Sequence, residues 1–277
     1  MTLLTDYEIL GVSYLVDVDR DMLLLVEDPE IGLSFKNMHY TDTHYLLKYN
    51  RLSPVDGDNS KVNPGQIVDV PIPHKVILNP VAMARKYGVT VEALKGRTDY
   101  DVMVDQDLLN QRINGKLPEI SIAGSDFIYD IKLNALLPKD KIGGNLMIGP
   151  DVYLSEDEMH YTFLYNPVKR EIVHYDRNMV EFSAGVFMAK IPNQLRLDPY
   201  GMIEKLGLHV KDTLVKFPIQ KSMTAQLTPL SELYFFKALV LKNRERLIVS
   251  DKWISNRTSE KNKTTKKVKK KNKGNRL

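Results

Sequence analysis

The sequence predicts an α+β fold made of two tandem homologous domains, each a small, mostly antiparallel sheet followed by a short helical hairpin. Three observations predict it: segments that recur in the same order, strands in which apolar and polar residues alternate, and helix caps that recur with the segments. We place the first repeat at 1–115, the second, with a longer C-terminal helix, at 116–252, and a disordered, Lys-rich tail at 253–277.

The longest recurrence links residues 72–91 with residues 191–210. The first segment reads IPHKVILNPVAMARKYGVTV and the second IPNQLRLDPYGMIEKLGLHV, with eight identities at a constant offset of 119. Shorter recurrences begin at Ile9 with an offset of 113 and at His44 with an offset of 116. Offsets that change slowly and never reverse order indicate one duplicated unit with small loop insertions.

The strand at 14–19 (YLVDVD) alternates apolar and acidic residues, which predicts one buried face and one polar face. Asp17 recurs in register as Asp130. Two carboxylates related by a pseudo-twofold axis resemble the pair in duplicated aspartic proteases, but the Asp-Thr-Gly turn of that family is absent. We therefore expect Asp17 and Asp130 to be solvated strand residues.

The helices of the repeats have recognisable ends. Asn79 and Asp198 are expected N-caps, each followed by a proline at the first helical position, and Gly88 and Gly207 are expected to end the helices. The pattern predicts helices at the ranges 81–87 and 200–206, 91–95 and 210–216, and 106–113.

A longer amphipathic helix is predicted to close the second repeat. Thr228 and Pro229 provide start signals, and Leu233, Phe236 and Val240 lie on its predicted apolar stripe.

The segment 80–94 resembles a helix-turn-helix, with a glycine at the turn and an apolar residue where a second helix would pack. That resemblance implies a contribution to nucleic-acid binding from Arg85, Lys86 and Lys95. The stretch also resembles the helical part of a LysM carbohydrate-binding module, although the preceding Gly-Asp-Thr-Leu turn is absent. The alternative that we favour is a packing corner between two helices.

The charge of the chain is concentrated at its C-terminus. Residues 252–277 contain 11 of the 39 Lys and Arg residues and one of the 35 Asp and Glu residues, so they carry +10 and residues 1–251 carry −6. Such a segment attracts polyanions by counterion release, and the alternative is a solubilising end. The expected phosphate-neutralising residues are Lys261, Lys263, Lys266, Lys267, Lys269, Lys270, Lys271 and Lys273.

Composition and motifs argue against several functions. The chain has no cysteine, HExxH motif, Walker loop or Gly-x-Ser-x-Gly motif, so we expect neither a cofactor nor a metal. A weak divalent-cation site near His160, His174 and Asp176 is the alternative to ordinary hydrogen bonding. No segment has the length and hydropathy of a membrane span or a signal peptide, so we expect no membrane partner and a cytoplasmic location.

These observations favour a non-enzymatic, cytoplasmic binding or accessory protein that engages DNA or RNA non-specifically through its basic tail. A structural or assembly subunit that presents the two repeats to protein partners is the first alternative. An enzyme with a site between the repeats is the second.

Overall fold

The computed structural model of the protein describes residues 4–52, 55, 66–156 and 158–249. In these residues the fold is α+β, with several antiparallel sheets and eight helices, as the sequence predicts in outline. The basic segment 252–277, including its expected disorder, lies outside the described residues.

Seventeen strands are present in the described part of the chain. They are β1 (Thr5–Ile9), β2 (Val12–Asp17), β3 (Met22–Leu25), β4 (Gly32–Ser34), β5 (His39–Tyr40), β6 (His44–Asn50), β7 (Ile67–Pro73), β8 (Glu119–Ile122), β9 (Ser125–Asp130), β10 (Ala135–Pro138), β11 (Leu146–Met147), β12 (Tyr153–Leu154), β13 (His160–Asn166), β14 (Glu171–Val173), β15 (Phe187–Pro192), β16 (Met223–Thr224) and β17 (Gln226–Pro229).

The helices lie between β7 and β8, between β15 and β16, and after β17. They are α1 (Lys75–Leu78), α2 (Pro80–Tyr87), α3 (Asp99–Met103), α4 (Gln106–Ile113), α5 (Gln194–Leu197), α6 (Pro199–Leu206), α7 (Val210–Lys216) and α8 (234–249).

The strands form four sheets of mostly sequential neighbours. Their orders are β1-β2-β3-β4, β5-β6-β7, β11-β10-β9-β8-β16 and β12-β13-β15-β17, and β14 pairs with β13. The register of β2 against β3 places Val16 opposite Leu23, and both side chains are buried.

The predicted helix caps are confirmed. The Asn79 side chain accepts a hydrogen bond from the Ala82 N–H, and that of Asp198 accepts one from the Gly201 N–H. Gly88 and Gly207 end α2 and α6 in the left-handed conformation, each with φ of 66°, which glycine adopts without a Cβ penalty.

Two predicted helices differ from the structure. The range 91–95 forms only a 3-10 turn at Glu92–Leu94, because Gly96, at φ 72°, lets the chain turn away. Thr228 and Pro229 belong to β17, where they pair with β15, so α8 begins after them, at residue 234. Pairing with a distant strand prevails there over a local helix-start signal.

Packing divides the chain into two compact units. Among the described residues, unit 1 comprises those from 4 to Ile120, Ile128–Ala135 and Pro192–Met223, and unit 2 comprises those of Ser121–Phe127, of Leu136–Ile191 and from Thr224 to 249. These units describe packing, whereas the predicted boundaries at 115 and 252 describe sequence recurrence and stay a prediction.

Each unit has apolar clusters of its own. A large cluster in unit 1 includes Tyr14, Tyr45 and Met83, and one in unit 2 includes Leu164, Phe236 and Val240. Among the described residues, no helix has both the length and the apolar character that a membrane span requires.

Candidate functional site

The cations that the sequence predicts on α2 contact the turn between β2 and β3. Arg85 forms an ion pair with Asp19, and Lys86 Nζ donates to the Val18 carbonyl at 2.5 Å. Burial lowers the pKa of Lys86. Lys95 is exposed after the 3-10 turn at Glu92–Leu94. The structure therefore uses two of these three cations to hold α2 against the sheet, and their role in nucleic-acid binding stays a prediction.

The first turn of α7, where a reading helix would present polar groups to DNA, is also engaged within unit 1. Asp212 accepts a hydrogen bond from the Tyr40 N–H at 2.7 Å, and Lys211 Nζ donates to Asp42 at 2.6 Å. The side chain of His209 caps the same helix by accepting from the Asp212 N–H. These contacts engage the polar groups at the start of α7 with residues 40–42. The packing corner at 80–94 stays a prediction, because the second helix predicted there is only a 3-10 turn.

The expected phosphate-neutralising lysines of the tail lie outside the described residues. Helix α8 directly precedes that segment and buries Phe236, Val240 and Asn243. Asn243 Nδ2 donates to the carbonyls of Arg177 and Met179, at 2.9 Å in each case, and so fixes α8 within unit 2.

The solvent face of α8 is basic. The helix carries four cations and one acid, which gives it a net charge of +3; these residues are Lys237, Lys242, Arg244, Glu245 and Arg246. Arg244 Nε donates to the Val180 carbonyl at 2.6 Å, and all five side chains are exposed. The last described helix is therefore already cationic, as is the segment 252–277 that comes shortly after it in the sequence.

A buried charged network lies around α1. Lys75 is 2% exposed and forms an ion pair with Asp21, while its Nζ lies 4.0 Å from Asp99 Oδ2. The Lys75 Nζ also lies over the rings of Phe35 and Tyr45, at 5.1 and 5.7 Å from their centroids, in cation–π geometry.

Asp99 is the centre of this network and is fully buried. Its carboxylate accepts hydrogen bonds from the Tyr45 hydroxyl at 2.6 Å, the Lys75 N–H at 3.0 Å and the Val76 N–H at 2.9 Å. Burial, followed by the neighbouring charge of Asp99, raises the pKa of Tyr45 well above its usual value, so the hydroxyl remains a donor. Because its members are buried and hydrogen-bonded, the loss of any one of them would leave its partners unpaired in the interior, which is costly.

Sequence reasoning missed this network, although the recurrence contains a signal for it. At the predicted offsets, Lys75 corresponds to Gln194 and Asp21 to Asn134. Gln194 Nε2 donates to Asn134 Oδ1 at 2.6 Å, so at the predicted offsets an amide pair stands where Lys75 and Asp21 form a charged pair. The replacement of Lys75 and Asp21 by Gln194 and Asn134 together is the signal that could have indicated that the two residues of each pair are in contact.

The recurring aspartates cap turns. The carboxylate of Asp17 accepts from the N–H groups of Asp19 and Arg20, and that of Asp130 accepts from those of Lys132 and Leu133. The expectation that Asp17 is solvated is wrong, since its residue is 4% exposed. The turn draws the carboxylate back so that Oδ1 accepts from the N–H groups of the turn.

The histidines are distributed among local hydrogen bonds. His174 Nδ1 lies 2.7 Å from Asp151 Oδ1, His44 Nδ1 lies 2.8 Å from Thr43 Oγ1, and His74 Nε2 lies 3.0 Å from the Thr41 carbonyl. Within the part of the chain that the structure describes, no three His, Asp or Glu side chains converge in a way that could hold a metal ion.

Comparison with known proteins adds no relative to this description. No family model, no curated protein and no solved structure matches this chain.

Proposed function

We propose that this chain is a non-enzymatic, cytoplasmic binding protein in which a scaffold of two duplicated domains holds a basic C-terminal arm that engages DNA or RNA. The observation that carries the proposal is the charge distribution, +10 in residues 252–277 and −6 in residues 1–251. Cations concentrated in this way bind phosphates without reading base sequence, because binding releases condensed counterions.

The last described helix supports this proposal. Helix α8 adds a net charge of +3 immediately before the basic segment, and its cations face solvent. A cationic helix that leads into a cationic segment extends the surface over which a phosphate backbone would be attracted.

The duplicated scaffold is supported by backbone geometry that recurs at the predicted offsets. Asn79 has φ and ψ of −145° and 72°, and Asp198 has −142° and 75°. The turn before β2 has φ of 49° and 85° at Leu10 and Gly11, and the turn before β9 has 53° and 78° at the corresponding residues.

Side-chain contacts recur as well. The His44 N–H donates to Thr41 Oγ1 at 3.1 Å, and the His160 N–H donates to Ser155 Oγ at the same distance, although Ser155 is two positions short of the offset that relates the histidines. The amide pair that replaces the Lys75–Asp21 pair supports the same conclusion, because independent domains have no reason to exchange both partners together.

One further replacement left a trace in unit 2. Tyr14 and Tyr49 place their hydroxyl oxygens 3.2 Å apart, whereas the offset places Phe127 and Tyr165 at the corresponding positions. Among the described residues the buried Tyr165 hydroxyl has no hydrogen-bond partner. A lost hydroxyl at Phe127 explains that orphaned group if both repeats descend from one ancestor.

A pull-down with the full-length protein, with and without nuclease, tests the proposal. We expect nucleic acid to co-purify with the full-length chain, to be lost after nuclease treatment, and to be lost from a chain truncated after residue 254. Equal recovery of nucleic acid with the full-length and truncated chains would contradict a role for the basic arm.

A specific observation favours the assembly subunit as a second candidate function. Besides its exposed cations, α8 has one exposed apolar stripe. Its residues recur every seven positions, at Tyr234, Leu241 and Ile248, which are 85%, 61% and 55% exposed. Exposed apolar groups aligned on one helix are typical of a surface that packs against another protein.

The same pull-down tests this candidate through Leu241→Glu. If α8 is a protein interface, a partner retained after nuclease treatment should be lost in this variant, and Val168→Glu, at an 88% exposed position outside α8, should retain it. A partner that both variants retain equally would exclude this face of α8.

A further inference from the structure

An aromatic cleft lies within unit 2, where the start of α8 packs near β12, β13, β14 and β15. Its cavity measures about 280 Å³, and the residues that line it include Tyr153, Phe163, Tyr175, Phe235 and Phe236. The Tyr175 ring centroid lies 5.9 Å from that of Phe235 and 5.8 Å from that of Phe236, and the two phenylalanine rings are 5.2 Å apart.

The cleft opens to solvent through aromatic rings. Phe235 is 59% exposed and Tyr153 is 53% exposed, whereas Phe236 is buried against the apolar cluster of unit 2. Exposed rings above a buried apolar floor offer π-faces to a planar ligand, and stacked or edge-to-face contacts are favourable for such rings. The volume is just below the range for drug-sized ligands, and so it suits one planar group.

Charged groups stand at the rim. Arg177 lines the cleft and is exposed, and Asn243 of α8 fixes its backbone carbonyl. Lys237 is exposed and follows Phe236 directly in α8. Asp151 also lines the cleft, and its Oδ1 lies 2.7 Å from His174 Nδ1. Aromatic faces bordered by an exposed Arg match the two parts of a nucleotide, a flat base and an anionic phosphate.

We propose that this aromatic cleft binds one unpaired base of a single-stranded nucleic acid, with Arg177 near its phosphate. The inference rests on the proposed function and deepens it, because the basic arm alone would not distinguish single strands from duplexes. Charge complementarity favours this occupant, since Arg177 lines the cleft and α8, which supplies Phe235 and Phe236 to it, carries +3. Duplex bases are stacked and paired, so the cleft should contribute nothing to duplex binding.

Fluorescence anisotropy with a single-stranded oligonucleotide and a duplex of equal length tests this cleft in the full-length protein. Phe235→Ala and Tyr175→Ala are each expected to weaken single-strand binding about 5- to 150-fold, the effect of losing one base stack. Duplex affinity should stay unchanged. Phe235→Trp, which keeps an aromatic face, should retain single-strand affinity. Tyr234→Ala is the matched control, because Tyr234 neighbours Phe235 but does not line the cleft.

Four results would overturn the inference in distinguishable ways. If Phe235→Ala and Tyr175→Ala bind single strands as the unaltered protein does, the cleft holds no base and the proposed function is unaffected. Equal weakening of duplex and single-strand binding also excludes a base pocket. Loss of a nuclease-resistant protein partner with unchanged nucleic-acid affinity assigns the cleft to that partner. If the full-length protein binds neither nucleic acid at low salt, both the cleft and the proposed function are wrong.

Discussion

Asp99→Ala is expected to lower the free energy of unfolding by about 3–5 kcal/mol, the usual cost of removing one partner from a buried, charged network. The substitution leaves the Tyr45 hydroxyl and the N–H groups of Lys75 and Val76 without their acceptor, and it removes an anion close to the buried ammonium of Lys75. Urea unfolding monitored by circular dichroism measures the change.

Asp69→Ala is the matched control for Asp99→Ala. Asp69 forms an ion pair with Lys48 at 3.3 Å, but both side chains are mostly exposed, at 55% and 73%. Because water screens such pairs, we expect a loss of less than about 1 kcal/mol. If Asp99→Ala costs no more than Asp69→Ala, the buried network does not hold α1 as the contacts indicate.

A double-mutant cycle at Lys75 and Asp21 is expected to show strong coupling. Lys75→Gln leaves Asp21 and Asp99 without their cation, and Asp21→Asn leaves the buried ammonium without its ion-pair partner. Each single change should cost about 3–5 kcal/mol. The double variant recreates the pair that Gln194 and Asn134 form, so it should be more stable than the summed losses predict by about 1–3 kcal/mol.

The exposed pair Lys48 and Asp69 provides the control cycle. Lys48→Gln and Asp69→Asn should combine additively to within about 0.5 kcal/mol, since the pair is exposed to water. If the losses in the free energy of unfolding from Lys75→Gln and Asp21→Asn simply add, an amide pair does not replace the charged pair at these two positions. That result would remove one of the arguments for duplication.

The sequence predicts the local elements of the fold because their signals lie within a few residues. Asn79 caps α2 by accepting a hydrogen bond from the Ala82 N–H, only three residues along the chain, and Gly88 ends the helix because glycine adopts the left-handed conformation readily. Where a distant strand competes, the local signal fails. Thr228, in β17, pairs with Met188 of β15 and does not start a helix. The alternation of apolar and acidic residues predicts that Asp17 is on the polar face of its strand. It does not reveal that the carboxylate folds back onto the N–H groups of the following turn, where it is buried.

The candidate sites divide in the same way. The basic segment is visible in composition alone, whereas the aromatic cleft joins residues as far apart in the chain as Tyr153, Tyr175 and Phe235. Asp99 likewise meets Tyr45 across 54 positions, and no periodicity in the sequence connects them. Such contacts follow from tertiary packing, which one sequence does not reveal. The Lys75–Asp21 contact is an exception, because both residues are replaced together at the predicted offsets, by Gln194 and Asn134.

The dependence of duplex-DNA affinity on salt concentration tests the central claim most directly. For the full-length protein, neutralisation of six phosphates predicts a slope of about −5 in a plot of log K against log salt, and truncation after residue 254 should abolish binding at the same salt concentrations. If the truncated chain binds duplex DNA with the same affinity and the same slope as the full-length chain, the basic C-terminal arm is not what engages nucleic acid.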